Sequence, residues 1–450
     1  MLRRAVKTQF CVVIFSLWAG VFGLMSVAAR AEAKIVVTPS GELRIRIKSL
    51  SPSSEWSFTN AYAGVLGIAE RVEDFHAFGS GGEDLDATKI ATGQFKSQAE
   101  AQSIAYVVKL RPPTGADVSH VSWLVGESGV LMLADLLPES LPSVMLEFAL
   151  PSDWTCQTAA PINFQGRYYV GHPEKAVFLI GRSLRTQVEL GKASVLGCFI
   201  TGNWPFKDEV VLNAAMKVLQ KYIGLTRFSP LDRAVVMLVP IPVATGSVKW
   251  RAETRGSTVV LLMDPQAEVK NWKGQLGIIF THELLHLWVP NSLLLEGDYD
   301  WFFEGFTLYT ALVTALDLKF IDFDEYVATL GRVYDSYLSR PDELSLIDAS
   351  ERRWTSGNSV VYDKGMLVAF LYDLMISRES NGRNHLLNLY RELFRQAPEP
   401  ANGNDVIIKM LSSTAAGAEL AKNYIEGKTE LNLKPLLADK KQLSRSLGYK

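Results

Sequence analysis

The chain has 450 residues, 46 basic against 48 acidic side chains, and 48% hydrophobic residues. That length allows about two or three domains with a sizeable buried core. The near-balanced charge argues against nucleic acid as a partner, and there is no repeat of solenoid or propeller period.

The N-terminal stretch MLRRAVKTQF carries Arg3, Arg4 and Lys7, and an apolar run follows from Phe10 to Ala29. Small residues then fall at the spacing a signal peptidase cuts, Ala29-Arg30-Ala31 or Ala31-Glu32-Ala33, so residues 1–33 are expected to be an export signal. Cys11 lies inside the apolar run rather than at a cleavage point, which speaks against a lipoprotein. The expected destination is the periplasm or the outside of the cell. The run is also long enough to span a bilayer, and the alternative is a protein anchored by residues 10–29. Only then would the chain contact a membrane. In an oxidising compartment Cys156 and Cys198 are permitted to pair.

From 34 to 203 the pattern is mainly of strands. In GELRIRIKSL, Leu43, Ile45 and Ile47 alternate with Arg44, Arg46 and Lys48, the period of a half-buried strand. AYVVKLRP, VMLEFALP, RYYVG and KAVFLIG are further short β-rich runs bounded by turn residues, and together they suggest a sandwich. TGNWPFKDEV marks a boundary. DEVVLNAAMKVLQKYIG has helical spacing and is expected to end at Gly224, while DRAVVMLVPIP and STVVLLMDP read as strands. Beyond Gly274 the pattern turns helical, through QLGIIFTHELLHLW, WFFEGFTLYTALVTAL, DFDEYVATLGRVYDSYLS, DKGMLVAFLYDLMIS and HLLNLYRELFRQ. The expected fold is therefore α+β and multidomain: a β-rich domain over 34–203, a mixed segment over 204–330 and a helical domain over 331–450.

The six histidines include two placed four residues apart in THELLHLWVP, His282 and His286, with Glu283 beside the first. On a helix both imidazoles project from one face and can reach a single ion about 2 Å away. Glu283 can then hydrogen-bond a water on that ion without being a ligand. This is the H-E-x-x-H zinc peptidase signature. A catalytic zinc needs a third protein ligand and an open fourth position. Val289 and Ser292 stand where a nearby third histidine motif would need Gly and His, so that route is closed. DYDWFFEGFTLY instead offers Glu304, eighteen positions after His286 and at the start of an apolar helical run. VPNSLLLEGDYD is long enough to reverse the chain between them. Its acidic residues Glu296, Asp298 and Asp300 read as loop or supporting groups.

HELLHLW with WFFEGFT resembles the gluzincin metallopeptidases, whose aminopeptidase N group carries W-x-x-E-G-F-A. The nearer match is the glycyl aminopeptidase family, with H-E-F-F-H-L-W-type and E-G-F-T-x-Y segments. SVVYDKGMLVAFLYDLMIS is similar to that family's Y-x-K-G-x-x-x-A-x-x-L-D-L stretch. AAGAELAKNYIEG is similar to its last helical part, and LEFALPSDW to a phrase of its N-terminal β domain. The resemblance implies a sandwich-like N-terminal domain, a thermolysin-like catalytic domain over 204–330 and a helical C-terminal domain. His282, His286 and Glu304 would hold one zinc ion and Glu283 would be the general base. Tyr362 would help hold the oxyanion. AETRGSTVVL partly matches the family's G-L-E-H-x-x-S-T segment, which makes Glu253 the candidate for binding a substrate α-amine, although Thr254 replaces the histidine and the glycines are missing. The gap from His286 to Glu304 is more compact than the family's, and the chain ends at Lys450 with no room for an appended PDZ domain. The implied activity is zinc-dependent hydrolysis of peptide or protein substrates from the N-terminus. The alternatives are an endopeptidase of the same fold and a silent peptide-binding or scaffold protein.

Overall fold

The computed structural model describes residues 31–110, 118–190, 195–229, 233–242, 250–266, 269–340, 344–396 and 399–448; the expected export segment lies, up to residue 30, outside them. The fold is α+β. Contacts gather it into two compact units, one of residues 1–186, 199–202 and 237–264, the other of residues 187–198, 203–236 and 265–450.

The first unit contains an eight-stranded and a four-stranded sheet. The strand Ala31–Val37 lies antiparallel to Glu42–Ser57 and parallel to Val144–Ala149, with Ala33 opposite Ile47 on one side and Leu146 on the other. The alternation in GELRIRIKSL appears as expected: Leu43, Ile45 and Ile47 are buried while Arg44, Arg46 and Lys48 are exposed. The four-stranded sheet runs in the order Thr155–Thr158, Val177–Gly181, Ser128–Met132 and Trp123–Val125. One apolar cluster draws Ile45 and Ile104 from the large sheet and Leu131, Phe178 and Ile180 from the small one. Burying two inward faces against each other is what makes a sandwich. Cys156 and Cys198 are both free thiols. The strands Trp250–Arg255 and Thr258–Met263 pair antiparallel, with Glu253 opposite Val260.

In the second unit the helix Asp208–Thr226 runs two residues past Gly224, where the sequence suggested a stop. The chain leaves instead through Arg227 in the left-handed conformation (φ 58°), whose N–H donates to Ile223 O at 2.9 Å. Position, not residue type, decides the cap here. The helix Val269–Leu285 carries His282 and is tied to the preceding one by Tyr222 Oη donating to Thr281 O (2.6 Å). Trp288 adds an indole N–H to Thr226 Oγ1 (3.1 Å). The sequence suggested helix through Trp288. The regular helix ends at Leu285 because the bonds there shorten to three-residue steps, Leu287 N to Leu284 O and Trp288 N to Leu285 O. A tightened last turn of this kind satisfies otherwise orphaned carbonyls.

WFFEGFTLYTALVTAL forms a π-helical turn, Trp301–Phe306, continuing into the α-helix Thr307–Asp317. It packs on the long helix Asn358–Glu379 at a point where only glycine fits. A Cβ on Gly305 would lie 2.6 Å from Gly365 Cα and from Val361 O. A few residues on, Tyr309 Oη donates to Asp373 Oδ2 (2.8 Å). These contacts join the two sequence phrases EGFTLY and YDKGMLVAFLYD. The helix Phe323–Leu338 opens on a capping box between Asp322 and Glu325. Among the described residues no helix is long and apolar enough to cross a membrane.

Candidate metal centre

The turn after His286 reverses the chain, with Asn291 N donating to His286 O and Leu293 N to Pro290 O. Leu295–Glu296 then pairs with Ala401–Asn402. Trp301 anchors the return: its backbone N–H donates to Ser350 Oγ (2.9 Å) and its indole to Asn404 Oδ1 (2.7 Å). This delivers Glu304 to the histidines. Nε2 of His282 and Nε2 of His286 lie 3.1 Å apart, and Glu304 Oε2 lies 3.4 Å from the first and 3.6 Å from the second.

Three electron-rich atoms in a buried place need a positive charge between them. Zinc bonds of about 2.0–2.1 Å in tetrahedral geometry place neighbouring donor atoms about 3.3 Å apart, close to the three separations seen. The tautomer also fits. His286 Nδ1 lies 2.9 Å from Val289 O, and a carbonyl can only accept, so Nδ1 carries the proton and Nε2 presents its lone pair. Burial works against a charge on His286, yet the Glu304 and Glu283 carboxylates raise its pKa to about 9. Burial likewise disfavours the Glu304 anion, but His286, His282 and Arg353 hold its pKa well below the ordinary carboxylate range. A proton is drawn to the place where a metal cation fits.

Glu283 is buried on the same helix, and its charge acts on both His286 and Tyr362. Tyr362, near the start of Asn358–Glu379, reaches the cluster because that helix crosses the Glu304 turn at the Gly305–Gly365 contact. Burial and the Glu304 carboxylate push its phenol well above its usual range, so at neutral pH it stays a donor. The structure thus brings His282, His286, Glu304, Glu283 and Tyr362 together.

It also adds a residue the sequence did not single out. Arg353, on the π-helical turn Arg353–Gly357, donates from Nη2 to Glu304 Oε1 (2.7 Å) and to Tyr362 Oη (3.0 Å) and pairs through Nη1 with Asp300. Asp300 is therefore a supporting group, as its place in the acidic loop suggested. The only signal for Arg353 was a basic pair beside Trp354, shortly before Tyr362.

Glu253 belongs to the first unit, on the strand Trp250–Arg255. Its side chain is 12% exposed and accepts from Tyr62 Oη (2.7 Å), His120 Nδ1 (2.9 Å) and Arg255 Nε (3.3 Å). Burial opposes its ionisation, but the His120 bond and the Arg255 charge lower its pKa overall. Arg71 braces the segment just after His120, donating from Nη1 to Ser122 O (2.9 Å) and pairing with Asp135.

No family model matches the chain, and no curated protein matches it. Solved structures do. An aminopeptidase N family protein from Idiomarina loihiensis is similar over 91% of this chain and 78% of its own, with TM-score 0.76 and 18% identity. An M1 zinc metallopeptidase from Deinococcus radiodurans matches over 90% of this chain and 94% of its own, with TM-score 0.57 and 13% identity. A mutant of that Deinococcus enzyme, bound to a Tyr-Ser-Ala substrate, matches over the same shares, with TM-score 0.56 and 12% identity. The chain has the fold of the aminopeptidase N family protein and of the M1 zinc metallopeptidases it matches.

Proposed function

We propose that the chain is a zinc-dependent peptidase. The observation that carries this reading is the convergence of two imidazole Nε2 atoms and one carboxylate oxygen, from His282, His286 and Glu304, at ligand spacing. These residues hold the ion. Zinc, when bound, supplies Lewis acidity toward a water and a peptide carbonyl. Glu283 takes the proton from the attacking water on its carboxylate and passes it to the departing amine. The Tyr362 hydroxyl donates to the oxygen that becomes negative as the carbonyl carbon turns tetrahedral, the point at which fixed donors contribute most.

For the mode of cleavage we propose removal of residues from the N-terminus, supported by the aminopeptidase N-type fold. Glu253 is the proposed acceptor for the substrate's ammonium. A carboxylate offers about four acceptor positions, and three donors already occupy Glu253. That leaves about one acceptor position for an ammonium, which favours a second reading, endopeptidase action on internal bonds. Digestion of a mixed peptide set decides between them: stepwise loss of N-terminal residues supports the first, internal cuts the second, and no cleavage by zinc-loaded protein contradicts both.

We also propose export, with cleavage after Ala31. That cut leaves Glu32–Val36 in register with both neighbouring strands, whereas a cut after Ala33 removes the Glu32 and Ala33 pairings. N-terminal sequencing of the mature protein tests it, and an intact Met1 contradicts it.

A further inference from the structure

We infer that Arg353 is a positioning residue for the centre: it confines Glu304 to offering one oxygen, Oε2, and aims the Tyr362 phenol. The inference about Tyr362 rests on the peptidase reading; the inference about Glu304 needs only that the site binds a metal.

A carboxylate beside a cation can engage it through one oxygen or through both. In this site the choice is made by the protein. Oε2 of Glu304 faces the two Nε2 atoms, while Oε1 is taken by Arg353 Nη2 at 2.7 Å. The same nitrogen lies 3.0 Å from Tyr362 Oη, and the other terminal nitrogen pairs with Asp300. Because Tyr362 Oη accepts from Nη2, the phenol keeps its own proton to donate, and its hydrogen-bond neighbour here is the Glu304 carboxylate, so one guanidinium orients both groups. The guanidinium is itself held fast. It is 11% exposed, its carbon sits 4.5 Å from the Trp354 ring centre and 5.5 Å from that of Phe303, and it is carried on a π-helical turn. Such turns recur at functional sites. An ion pair serving charge balance alone could rest on Asp300. A planar fork spanning Asp300, Glu304 and Tyr362 needs arginine geometry, which lysine cannot reproduce.

The test uses Co²⁺ in place of zinc, because its visible absorption weakens markedly as coordination rises above four. In Arg353→Met, Glu304 is released to bind through both oxygens, and the Co²⁺ bands should weaken several-fold at full metal occupancy. In Arg353→Lys the ammonium still pairs with Oε1, and the bands should stay near wild type. In peptide cleavage, kcat should fall about 10–100-fold in the Met variant with little change in KM, in the range seen for groups that orient metal ligands. Tyr362→Phe should cost distinctly less in either Arg353 variant than in wild type, since the phenol is no longer aimed. A wild-type Co²⁺ spectrum in Arg353→Met overturns the inference, and so does a Tyr362→Phe penalty unchanged by loss of Arg353. Should the Met variant not fold, the Lys variant with and without Tyr362→Phe still carries the second comparison. Wild-type protein that binds no metal and cleaves nothing fails the peptidase reading instead, a result distinct from either of these.

Discussion

Two largely enclosed carboxylates in this molecule are surrounded by nearly the same side chains and are ready for different things. Glu304 meets two histidines, an arginine and the neighbourhood of a tyrosine. Glu253 meets one histidine, an arginine and a tyrosine. Around Glu253 every neighbour donates, so most of its acceptor capacity is already taken within the protein. Around Glu304, Arg353 donates to Oε1, while the two histidines and Tyr362 stand within hydrogen-bonding reach of the carboxylate. The two imidazoles can turn lone pairs inward, and Nδ1 of His286 is committed as a donor to Val289 O. The balance of donors and acceptors, not the residue types, separates a cation site from a self-contained ion pair.

That contrast can be broken most decisively by removing a ligand. His286→Ala should lose zinc and peptide cleavage together, measured by metal analysis and turnover on the same sample; retained stoichiometric zinc would place the centre elsewhere. Glu283→Gln sharpens the picture by separating holding from chemistry. It should keep one zinc per chain while turnover drops on the order of 10² to 10⁴, and unchanged turnover sinks Glu283 as the base. Tyr362→Phe should keep zinc and lower kcat by about 10² to 10³, the usual cost of one oxyanion donor.

Metal removal should expose the cluster's appetite for positive charge through pH. The folded pKa of His286, about 9, lies above its ordinary 6.5, so the proton's stabilisation is complete below 6.5 and is lost as pH rises through 9. Chelator-treated protein should melt at progressively lower temperatures across that window, and zinc should restore the difference; a flat profile contradicts the assignment. The smallest effect belongs to the Glu253 cluster. Glu253→Gln should leave zinc content untouched and cost about 1–3 kcal/mol of stability at neutral pH through its weakened charged hydrogen bonds. Because the Glu253 pKa is lowered in the fold, that loss should shrink as pH falls below the ordinary carboxylate value of 4.5. Denaturant titrations at two pH values check it.

How much of this could be read before the structure follows from where the information lies. His282, Glu283 and His286 are legible because four-residue spacing on a helix already fixes which side chains share a face. Glu304 was reachable by counting from His286 to the next apolar helix, and Tyr362 only through the likeness of YDKG to a known phrase. The structure gives that likeness a physical basis, since the glycines of EGF and YDKG are the contact that lets two backbones meet. Arg353 stayed hidden because it sits on a π-helical turn outside any 3.6-residue pattern, with partners 49 and 53 positions away. The partners of Glu253 were equally invisible, for Tyr62 lies 191 positions upstream and His120 133. In the fold, the strands of the sandwich followed the alternation of GELRIRIKSL, whereas helix ends did not follow their punctuation. Gly224 is passed over, and the histidine helix tightens before Pro290 is reached.

The most direct test of the whole account is diffraction from zinc-loaded crystals measured on both sides of the zinc absorption edge. One anomalous peak should appear per chain, bonded to Nε2 of His282, Nε2 of His286 and Oε2 of Glu304, with Oε1 still on Arg353. No peak there, or a zinc bound without Glu304, would contradict it.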